Sequence, residues 1–367
     1  MKSTNRHSIF CILPPHILIN IAKNAATAEQ RAAAVDALSV DHTIRNERQT
    51  AALMGRLQVE DLSSVSLDAT GQPQDHRTIY NCGHSTSLPG KLVRSEGQGP
   101  VADQSVDRAY EGLGATFDFY LNNLQRNSID NKGLPLVASV HYDSKYDNAF
   151  WNGQQMVFGD GDGVLFNDFT IPLDVIGHEL THGVTGSEAN LVYQRQPGAL
   201  NESVSDVFGS MVKQYKNGET ADKADWLIGK GLLTAKVEGT ALRSMAAPGT
   251  AYDDPVLGKD PQPADMQHYV NTASDNGGVH INSGIPNHAF YLAATSIGGY
   301  AWTGAGLVWY DTLVDKSLKA TANFAAFANR TVRNAGTRFG VGSSQQKAVT
   351  DAWQKVGVLK KASHKGA

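Results

Sequence analysis

Cysteine is nearly absent from this sequence, since Cys11 and Cys82 are the only two among 367 residues. Two cysteines cannot form the disulfide framework that holds many small secreted domains together, so the fold must depend on its hydrophobic core. The two cysteines do not indicate whether the protein works in an oxidising or a reducing compartment. A free cysteine such as Cys11 usually packs as a small hydrophobe, although its thiolate is also able to cap a metal ion.

Long apolar runs and a strong net charge are absent as well. No stretch reaches the roughly 20 apolar residues that cross a bilayer, so we expect no membrane partner. The formal net charge is −4, which gives no large positive field to attract nucleic acid. Ile9 to Leu13 form a short apolar run that stops at Pro14-Pro15. The run is too short for a conventional signal peptide, so export would need another route.

The composition is otherwise that of a soluble globular protein, with 41% hydrophobic and 19% charged residues. A chain of 367 residues is long enough for two domains and a small additional segment. These values exclude few functions, so the functional argument depends on motifs.

The strongest motif is H-E-x-x-H, formed by His178, Glu179 and His182. Residues four apart on a helix lie one turn above each other, so both imidazoles can point at one metal ion. Glu179 is rotated off that line and can act on a water bound to the metal. This is the arrangement of a zinc peptidase with a glutamate general base. Taken alone, the motif could equally belong to a solvated helix face.

A second motif provides a third ligand. Glu202 and Asp206 are four residues apart, so their carboxylates share one helix face. A catalytic zinc takes three protein ligands and keeps one position open, and Glu202 completes the set begun by the two histidines. Asp206 is the candidate partner for the other ring nitrogen of His178, and Asn201 can support the second histidine. Both motifs together disfavour the alternative of two ordinary amphipathic helices.

With these motifs the chain resembles the thermolysin-type metallopeptidases, and most closely the protealysin-type branch with a short N-terminal propeptide. The likeness spans about residues 75–358 and rests on the zinc helix together with Asn148-Ala-Phe-Trp-Asn-Gly, Gly159-Asp-Gly-Asp-Gly, Gly198-Ala-Leu-Asn-Glu, Leu242-Arg-Ser-Met and Asp275-Asn-Gly-Gly-Val-His-Ile-Asn-Ser-Gly284. It implies an α+β fold of two domains, strand-rich and then mainly helical. The zinc site would lie in the cleft between them, as in zincins of the gluzincin type.

The resemblance and the local patterns together predict the domain organisation. We expect a propeptide at residues 1–50, a strand-rich domain at 51–174, a helical domain at 175–359 and a flexible tail at 360–367. Within the propeptide, Pro14-Pro15 matches the family's Pro-Pro motif and is expected to exclude a regular helix. Thr27 and Gln30 form a capping box for a helix over 25–38, followed by a polar linker. The plainer alternative is an N-terminal extension without function.

Periodicity predicts the main elements of the remaining chain. Strands are expected over 134–142 and 155–158. Helices are expected over 101–124, 175–186, 199–216, 286–299, 302–317, 323–339 and 343–356. Gly159 to Gly163 lacks the alternating ligands of an EF-hand and is predicted to be a turn.

By resemblance, the protein is a zinc-dependent neutral endopeptidase that cleaves before bulky hydrophobic residues and is made as a self-inhibited precursor. Glu179 would be the general base, His280 and Tyr193 would stabilise the oxyanion, and Asp275 would orient His280. The expected partners are polypeptide substrates and the chain's own propeptide, bound to a monomer. The expected location is extracellular, with a cytoplasmic precursor as the alternative.

Six residues match the family's substrate contacts. Asn148, Ala149 and Arg243 match positions that bind the substrate backbone, although Arg243 could instead be an ion-pair partner. The pocket for the residue after the cleaved bond is matched by Leu173, Val175 and Leu242. The loop over 170–174 looks shorter than the family's usual loop, which leaves the pocket shape open.

Calcium ligands depart from the family pattern. Asp174 and Asp225 match acidic calcium ligands, whereas Lys213 and Lys230 stand where further carboxylates are expected. An ammonium group cannot ligate calcium, so we expect internal ion pairs to replace the usual double site. Whether any calcium site remains is open.

Two other functions are compatible with the motifs. H-E-x-x-H with a distal glutamate also serves exopeptidases, but no motif for gripping a free N-terminus is present. A catalytically weakened binding or virulence protein is disfavoured by the presence of Glu179, Tyr193, Asp275 and His280. An assay of casein hydrolysis, with and without a zinc chelator, would distinguish the endopeptidase, the exopeptidase and the binding protein.

Overall fold

Residues 10–40 and 73–360 are described by the computed structural model of the chain. The first range contains strand β1 (Phe10–Cys11), helix α1 (Pro15–Asn24) and helix α2, which is helical over residues 28–40. The predicted linker over 41–50, the start of the second predicted domain and the tail beyond 360 lie outside the described residues.

Helix α1 corrects one prediction. The proline pair does not exclude a helix, because Pro14 is the N-cap and Pro15 the first helical residue. Proline is tolerated there, since the first amide N–H groups of a helix have no partner within it. The predicted capping box is present, as Thr27 Oγ1 accepts a hydrogen bond from the Gln30 amide at 3.2 Å. Helix α2 therefore begins after Thr27 rather than at residue 25.

A six-stranded mixed sheet organises the first half of the chain. Its other strands are β2 (Arg77–Asn81), β3 (Lys91–Ser95), β4 (Leu136–Val140), β5 (Ala149–Trp151) and β6 (Met156–Phe158), in the order β1-β5-β6-β4-β2-β3. Strand β1 pairs antiparallel with β5, which places Cys11 opposite Phe150. An edge strand offers unpaired backbone groups to any extended peptide, and here the N-terminal segment takes that position.

Helix α3 (Gln104–Leu124) packs on this sheet and on the first helix of the second half. It begins three residues later than predicted, where Asp103 accepts hydrogen bonds from the amides of Ser105 and Val106. This N-cap satisfies two of the four amides that a helix start leaves without partners.

The second half of the chain is mainly helical. Its helices are α4 (Leu173–Ser187), α5 (Arg195–Asn217), α6 (Asp275–Asn282), α7 (Gly284–Ile297), α8 (Ala305–Leu313), α9 (Phe324–Phe339) and α10 (Ser344–Lys355). Two short ribbons interrupt them, formed by β7 (Leu227–Ile228) with β8 (Arg243–Ser244) and by β9 (Asp253–Asp254) with β10 (Gly258–Lys259). The predicted helix over 302–317 is shorter than expected, and no helix was predicted at the position of α6. The strand-rich and then helical architecture is confirmed.

Helices α4 and α5 cross closely because glycine lies at the contact. A Cβ atom on Gly177 would lie 3.0 Å from the Cα atom of Gly209, and one on Gly209 would overlap the backbone of α4. Any larger residue would separate the helices and the side chains they carry into the site.

Among the described residues, no helix is long and apolar enough to cross a membrane.

Candidate active site

Helices α4 and α5 bring together three buried side chains that can bind a metal. His178 and His182 lie on α4 and Glu202 on α5, and each is at most 1% exposed. One ligand atom from each lies within 4.8 Å of the others. Within the described parts of the chain, this is the one group of three or more histidine, cysteine or acidic side chains with such spacing, and Cys11 is not part of it.

Hydrogen bonds to both rings show that the group suits a cation. His178 Nδ1 lies 2.8 Å from Asp206 Oδ1, and His182 Nδ1 lies 2.8 Å from Asn201 Oδ1. The Asn201 amide nitrogen donates to the Leu191 carbonyl, which fixes the orientation of that side chain. Because these oxygens only accept, each Nδ1 carries the proton. The two Nε2 atoms, 3.0 Å apart, then face each other with lone pairs, an arrangement that a cation stabilises.

Asp206 is fully buried and accepts four hydrogen bonds. Besides His178, the donors are Arg243 Nε and Nη2, both at 2.9 Å, and Asn287 Nδ2 at 2.8 Å. Burial alone would raise the pKa of Asp206, but the Arg243 guanidinium and these donors hold that pKa well below its usual range. The carboxylate therefore stays ionised and orients the His178 ring.

Glu179 is fully buried beside the first histidine. Its Oε2 atom accepts a hydrogen bond from the Trp151 amide of β5 at 3.1 Å. This contact places the carboxylate between α4 and β5, the strand that pairs with the N-terminal segment.

His280 faces the metal group from α6. Asp275 fixes it twice, since its carboxylate accepts from the His280 backbone amide at 2.8 Å and lies 2.7 Å from Nδ1. The Nε2 atom lies 3.4 Å from Glu202 Oε2 and 3.2 Å from Tyr193 Oη. The Tyr193 hydroxyl also donates to Glu202. His280 and Tyr193 thus lie side by side against one metal-binding residue.

The backbone that carries His280 is strained. Asp275, Asn276, Gly277 and Gly278 have φ values of 52°, 51°, 85° and 77°, which form a run of left-handed residues. Non-glycine residues adopt this region at a cost, so the surrounding contacts must hold it in place. A Cβ atom on Gly278 would lie 2.8 Å from Asn282 Nδ2, so that position also requires glycine for space.

The N-terminal segment lies along the edge of β5 in this cleft. The Ile12 amide donates to the Ala149 carbonyl at 3.2 Å, and the Leu13 amide donates to Asn148 Oδ1 at 3.0 Å. These are backbone contacts, so any extended peptide could make them. Asn148 and Ala149 therefore contact peptide backbone at the positions that the resemblance implied.

The carbonyl groups of the segment point to His280 and Arg243. The Cys11 carbonyl lies 3.3 Å from His280 Nε2, and Arg243 Nη1 donates to the Ile12 carbonyl at 3.1 Å. Arg243 thus makes both contacts considered for it, with a peptide carbonyl and with Asp206. The three apolar residues predicted to line the pocket begin α4 or precede Arg243, and Val175 and Leu242 are buried while Leu173 is half-buried.

The two lysines in the calcium region form ion pairs. Lys213 Nζ lies 2.7 Å from Asp174 and 2.9 Å from Asp225, while Lys230 Nζ lies 3.3 Å from Asp225. Burial disfavours the Lys213 ammonium, but the two carboxylates raise its pKa above the ordinary value. Lys213 therefore serves both carboxylates, whereas the prediction gave the lysines equal roles.

Sequence reasoning missed three contributors to the site. Asn287 supports Asp206, the Trp151 amide supports Glu179, and Ser205 Oγ lies 2.9 Å from His182 Nδ1. Asn287 was detectable in the sequence, because a polar side chain in the largely apolar helix α7 indicates a buried hydrogen bond. A backbone amide leaves no trace in the sequence, so the Trp151 contact could not be found.

Comparison with known proteins gives consistent matches over most of the chain. A family model described as thermolysin metallopeptidase, catalytic domain, matches residues 54–186, and one described as thermolysin metallopeptidase, alpha-helical domain, matches residues 189–358. The chain is 52% identical over 356 residues to an extracellular metalloprotease of Pectobacterium carotovorum subsp. carotovorum, covering 95% of this chain and 96% of that protein. It is 46% identical over 358 residues to protease PrtS of Photorhabdus sp. (strain Az29), covering 96% and 93%.

The similar solved structures include one that matches over the same length. It is the precursor of protealysin, a metalloproteinase from Serratia proteamaculans, with a TM-score of 0.85 and 54% sequence identity. The match covers 95% of this chain and 100% of that one.

Proposed function

Because the chain belongs to the thermolysin metallopeptidase family, we propose that it is a zinc endopeptidase made as a self-inhibited precursor. His178, His182 and Glu202 would hold the zinc ion, since their geometry and hydrogen bonds suit a cation. When bound, zinc lowers the pKa of a coordinated water and polarises the substrate carbonyl. The similarity to extracellular metalloproteases supports action outside the cell.

The remaining steps belong to the chain's own side chains. Glu179 accepts a proton from the attacking water and returns it to the leaving amine. His280 and Tyr193 donate hydrogen bonds to the carbonyl oxygen as negative charge develops there. The Asp275 carboxylate fixes the His280 ring through Nδ1, which leaves Nε2 directed at a carbonyl oxygen of the N-terminal segment.

One observation carries the proposal, namely the position of residues 10–13. They run antiparallel to β5. The amides of Ile12 and Leu13 and the Ile12 carbonyl make hydrogen bonds to the site, and the Cys11 carbonyl lies beside His280. The segment thus occupies the place where a peptide substrate would bind, which supports both peptide hydrolysis and self-inhibition.

The same segment supports the substrate preference. Ile12 directly follows the carbonyl at His280, and its side chain is fully buried. On the resemblance, we assign the preference for a bulky apolar residue after the cleaved bond to the pocket at Leu173, Val175 and Leu242, and the buried Ile12 side chain is consistent with it. Burying such a side chain contributes about 1.5–3 kcal/mol to substrate binding.

Internally quenched peptides with blocked termini test the activity. We expect cleavage before leucine, isoleucine or phenylalanine, inhibition by a zinc chelator, and recovery on zinc addition. The mass and N-terminal sequence of the active form would show whether residues 10–13 have been removed. Cleavage of free-ended peptides alone would indicate an exopeptidase, and a zinc-loaded, correctly folded protein without any activity would indicate a binding protein.

A further inference from the structure

Gln262 is a buried residue whose side chain supports the backbone of His280. It is 5% exposed, and its Nε2 atom donates to the His280 carbonyl at 2.8 Å and to Ser283 Oγ at 3.0 Å. The loop that carries it is fixed by Asp260, which accepts hydrogen bonds from the Gln262 and Ala251 amides at 3.0 and 3.1 Å. The amide group therefore approaches His280 from a rigid loop outside α6.

His280 is consequently held from two sides. Asp275 binds its backbone amide and ring on the N-terminal side, where residues 275–278 are strained. Gln262 binds its carbonyl on the C-terminal side. A catalytic donor must stay within a few tenths of an ångström of its productive position, and supporting hydrogen bonds provide that precision.

We propose that Gln262 is a positioning residue that holds the His280 ring against the substrate carbonyl. The inference depends on the proposed function, in which His280 stabilises the developing negative charge. Among the described residues, the Gln262 side chain donates hydrogen bonds to His280 and Ser283 and to none of the metal ligands or residues 10–13, so it acts through His280.

The test uses Gln262→Met, which keeps the length of the side chain and removes the donor. Gln214→Met is the matched control, because Gln214 is likewise a buried glutamine and donates to a serine, Ser210, at 3.0 Å on α5. We expect kcat/KM to fall about tenfold in Gln262→Met, with KM and zinc content unchanged. A phosphonamidate peptide, which mimics the transition state, should lose the same factor in affinity. Gln214→Met should keep kcat/KM within about twofold of wild type.

The outcomes separate the two proposals. Wild-type kcat/KM in a folded Gln262→Met protein would overturn the positioning role and leave the peptidase function intact. An equal loss in both variants would mean that only general packing was disturbed, which also overturns it. Gln262→Asn, which shortens the side chain by one methylene, is the milder variant and should give an intermediate loss. A zinc-loaded wild-type protein without activity would instead contradict the proposed function.

An independent observation concerns His16 at the start of α1. Its Nε2 atom lies 2.9 Å from Tyr252 Oη, while its Nδ1 atom is buried and has no hydrogen-bond partner among the described residues. The charged groups that face it are Asp275 and His280 of α6 and Arg243 of β8. Burial, opposed by Asp275 and aided by His280 and Arg243, lowers the pKa of His16 to about 4.

Protonation of this ring is incompatible with its surroundings. An imidazolium needs an acceptor at both nitrogens, and within the described ranges only Nε2 has a partner. The extra charge would also lie near Arg243 and His280. If α1 leaves the surface, water satisfies both nitrogens. Protonation of His16 therefore shifts the equilibrium toward the state in which the N-terminal segment is undocked.

We further propose that His16 makes docking of the N-terminal segment sensitive to pH, so that the segment is held at neutral pH and loosened in acid. The undocked ring titrates near 6.5 and the docked ring near 4. Above about pH 6.5 the ring is neutral in both states and docking is at full strength. Below it, docking weakens by up to about tenfold per pH unit until about pH 4.

Amide hydrogen exchange of the full chain tests this second proposal. Glu179→Gln serves as the background, since it should prevent self-cleavage during the measurement. Protection of residues 10–24, corrected for intrinsic exchange rates, should fall about tenfold between pH 6 and pH 5, while that of α7 stays constant. His16→Leu should show no such fall. Equal pH dependence in both proteins, or equal loss of protection in α7, would overturn the proposal.

Discussion

Glu179 is the residue whose role is easiest to separate from folding. It is not one of the three grouped ligands, and its carboxylate receives a backbone hydrogen bond from Trp151 that a glutamine side-chain oxygen can also accept. We expect Glu179→Gln to bind zinc normally and to lower kcat by at least about 100-fold, as for loss of a general base. The zinc content from elemental analysis and kcat measured with a quenched peptide test this prediction. Near-normal turnover by the zinc-loaded variant would contradict this mechanism, and an uncut precursor would support self-processing.

Glu202 and Asp206 should differ in what their loss removes. Glu202→Ala removes a ligand and should abolish tight zinc binding. Asp206→Ala should weaken zinc affinity or activity about 10–100-fold, because His178 loses its orienting carboxylate. It also leaves the buried Arg243 unpaired, which we expect to cost about 3–5 kcal/mol of folding stability. Zinc titration and thermal unfolding distinguish the two effects, and full zinc occupancy in Glu202→Ala would mean that the third ligand is misassigned.

At the scale of elements, the sequence predicted long periodic helices well and irregular ones poorly. Helices α4 and α5 follow from apolar spacing together with the ligand motifs, and both are buried over most of their length. Helix α6 begins with four left-handed residues, a conformation that tertiary contacts with Asp275 and its neighbours stabilise and that no periodicity reveals. The start of α1 was missed for a simpler reason, since proline excludes the helix interior but favours the first position.

His141 connects two elements through its charge. Its ring lies 2.8 Å from Asp160 and 3.0 Å from Asp103, the N-cap of α3. The hydrogen bond to Asp160, opposed by burial and aided by Asp103, raises the pKa of His141 to about 9. Because the folded value lies above the unfolded value of about 6.5, this stabilisation is complete below pH 6.5 and is lost as pH rises through 9.

The expected effect of His141→Gln is therefore pH-dependent. After allowing for solvent screening of a partly exposed pair, we expect a loss of about 1 kcal/mol at pH 6, which should disappear by about pH 10. His268→Gln is the control, because His268 pairs with Asp265 at a highly exposed site. Thermal unfolding at pH 6, 8 and 10 with zinc constant measures both. A deficit of the His141 variant that does not change with pH would show that packing, and not charge, is lost.

At the scale of the whole molecule, the sequence could place the chemistry but not the path of the chain through the site. The motifs predicted His178 and His182 on one helix and Glu202 on the next, which is where the structure has them, because ligand spacing on a helix is a local property. The insertion of residues 10–13 along β5 joins parts of the chain more than 130 residues apart, as does the Leu13 contact with Asn148. Only the resemblance, and no local pattern, suggested that the N-terminal segment would inhibit the site.

The last prediction concerns calcium, and it follows from the charge balance around Lys213. This ammonium neutralises Asp174, which is fully buried, and Asp225, so the region needs no added cation to offset repelling carboxylates. A ligand that binds only the native state stabilises it by RT ln(1 + [L]/Kd), so a tight calcium site would contribute several kcal/mol at millimolar calcium. We expect a melting temperature that is nearly independent of calcium from zero to a few millimolar, at constant zinc. Lys213→Ala should cost about 3–5 kcal/mol by leaving Asp174 unpaired, whereas Lys230→Ala, at an exposed pair, should cost less than about 1 kcal/mol. A rise above about 5 °C on adding calcium to the wild type, equivalent to at least about 1–2 kcal/mol, would show that a calcium site survives beside these lysines.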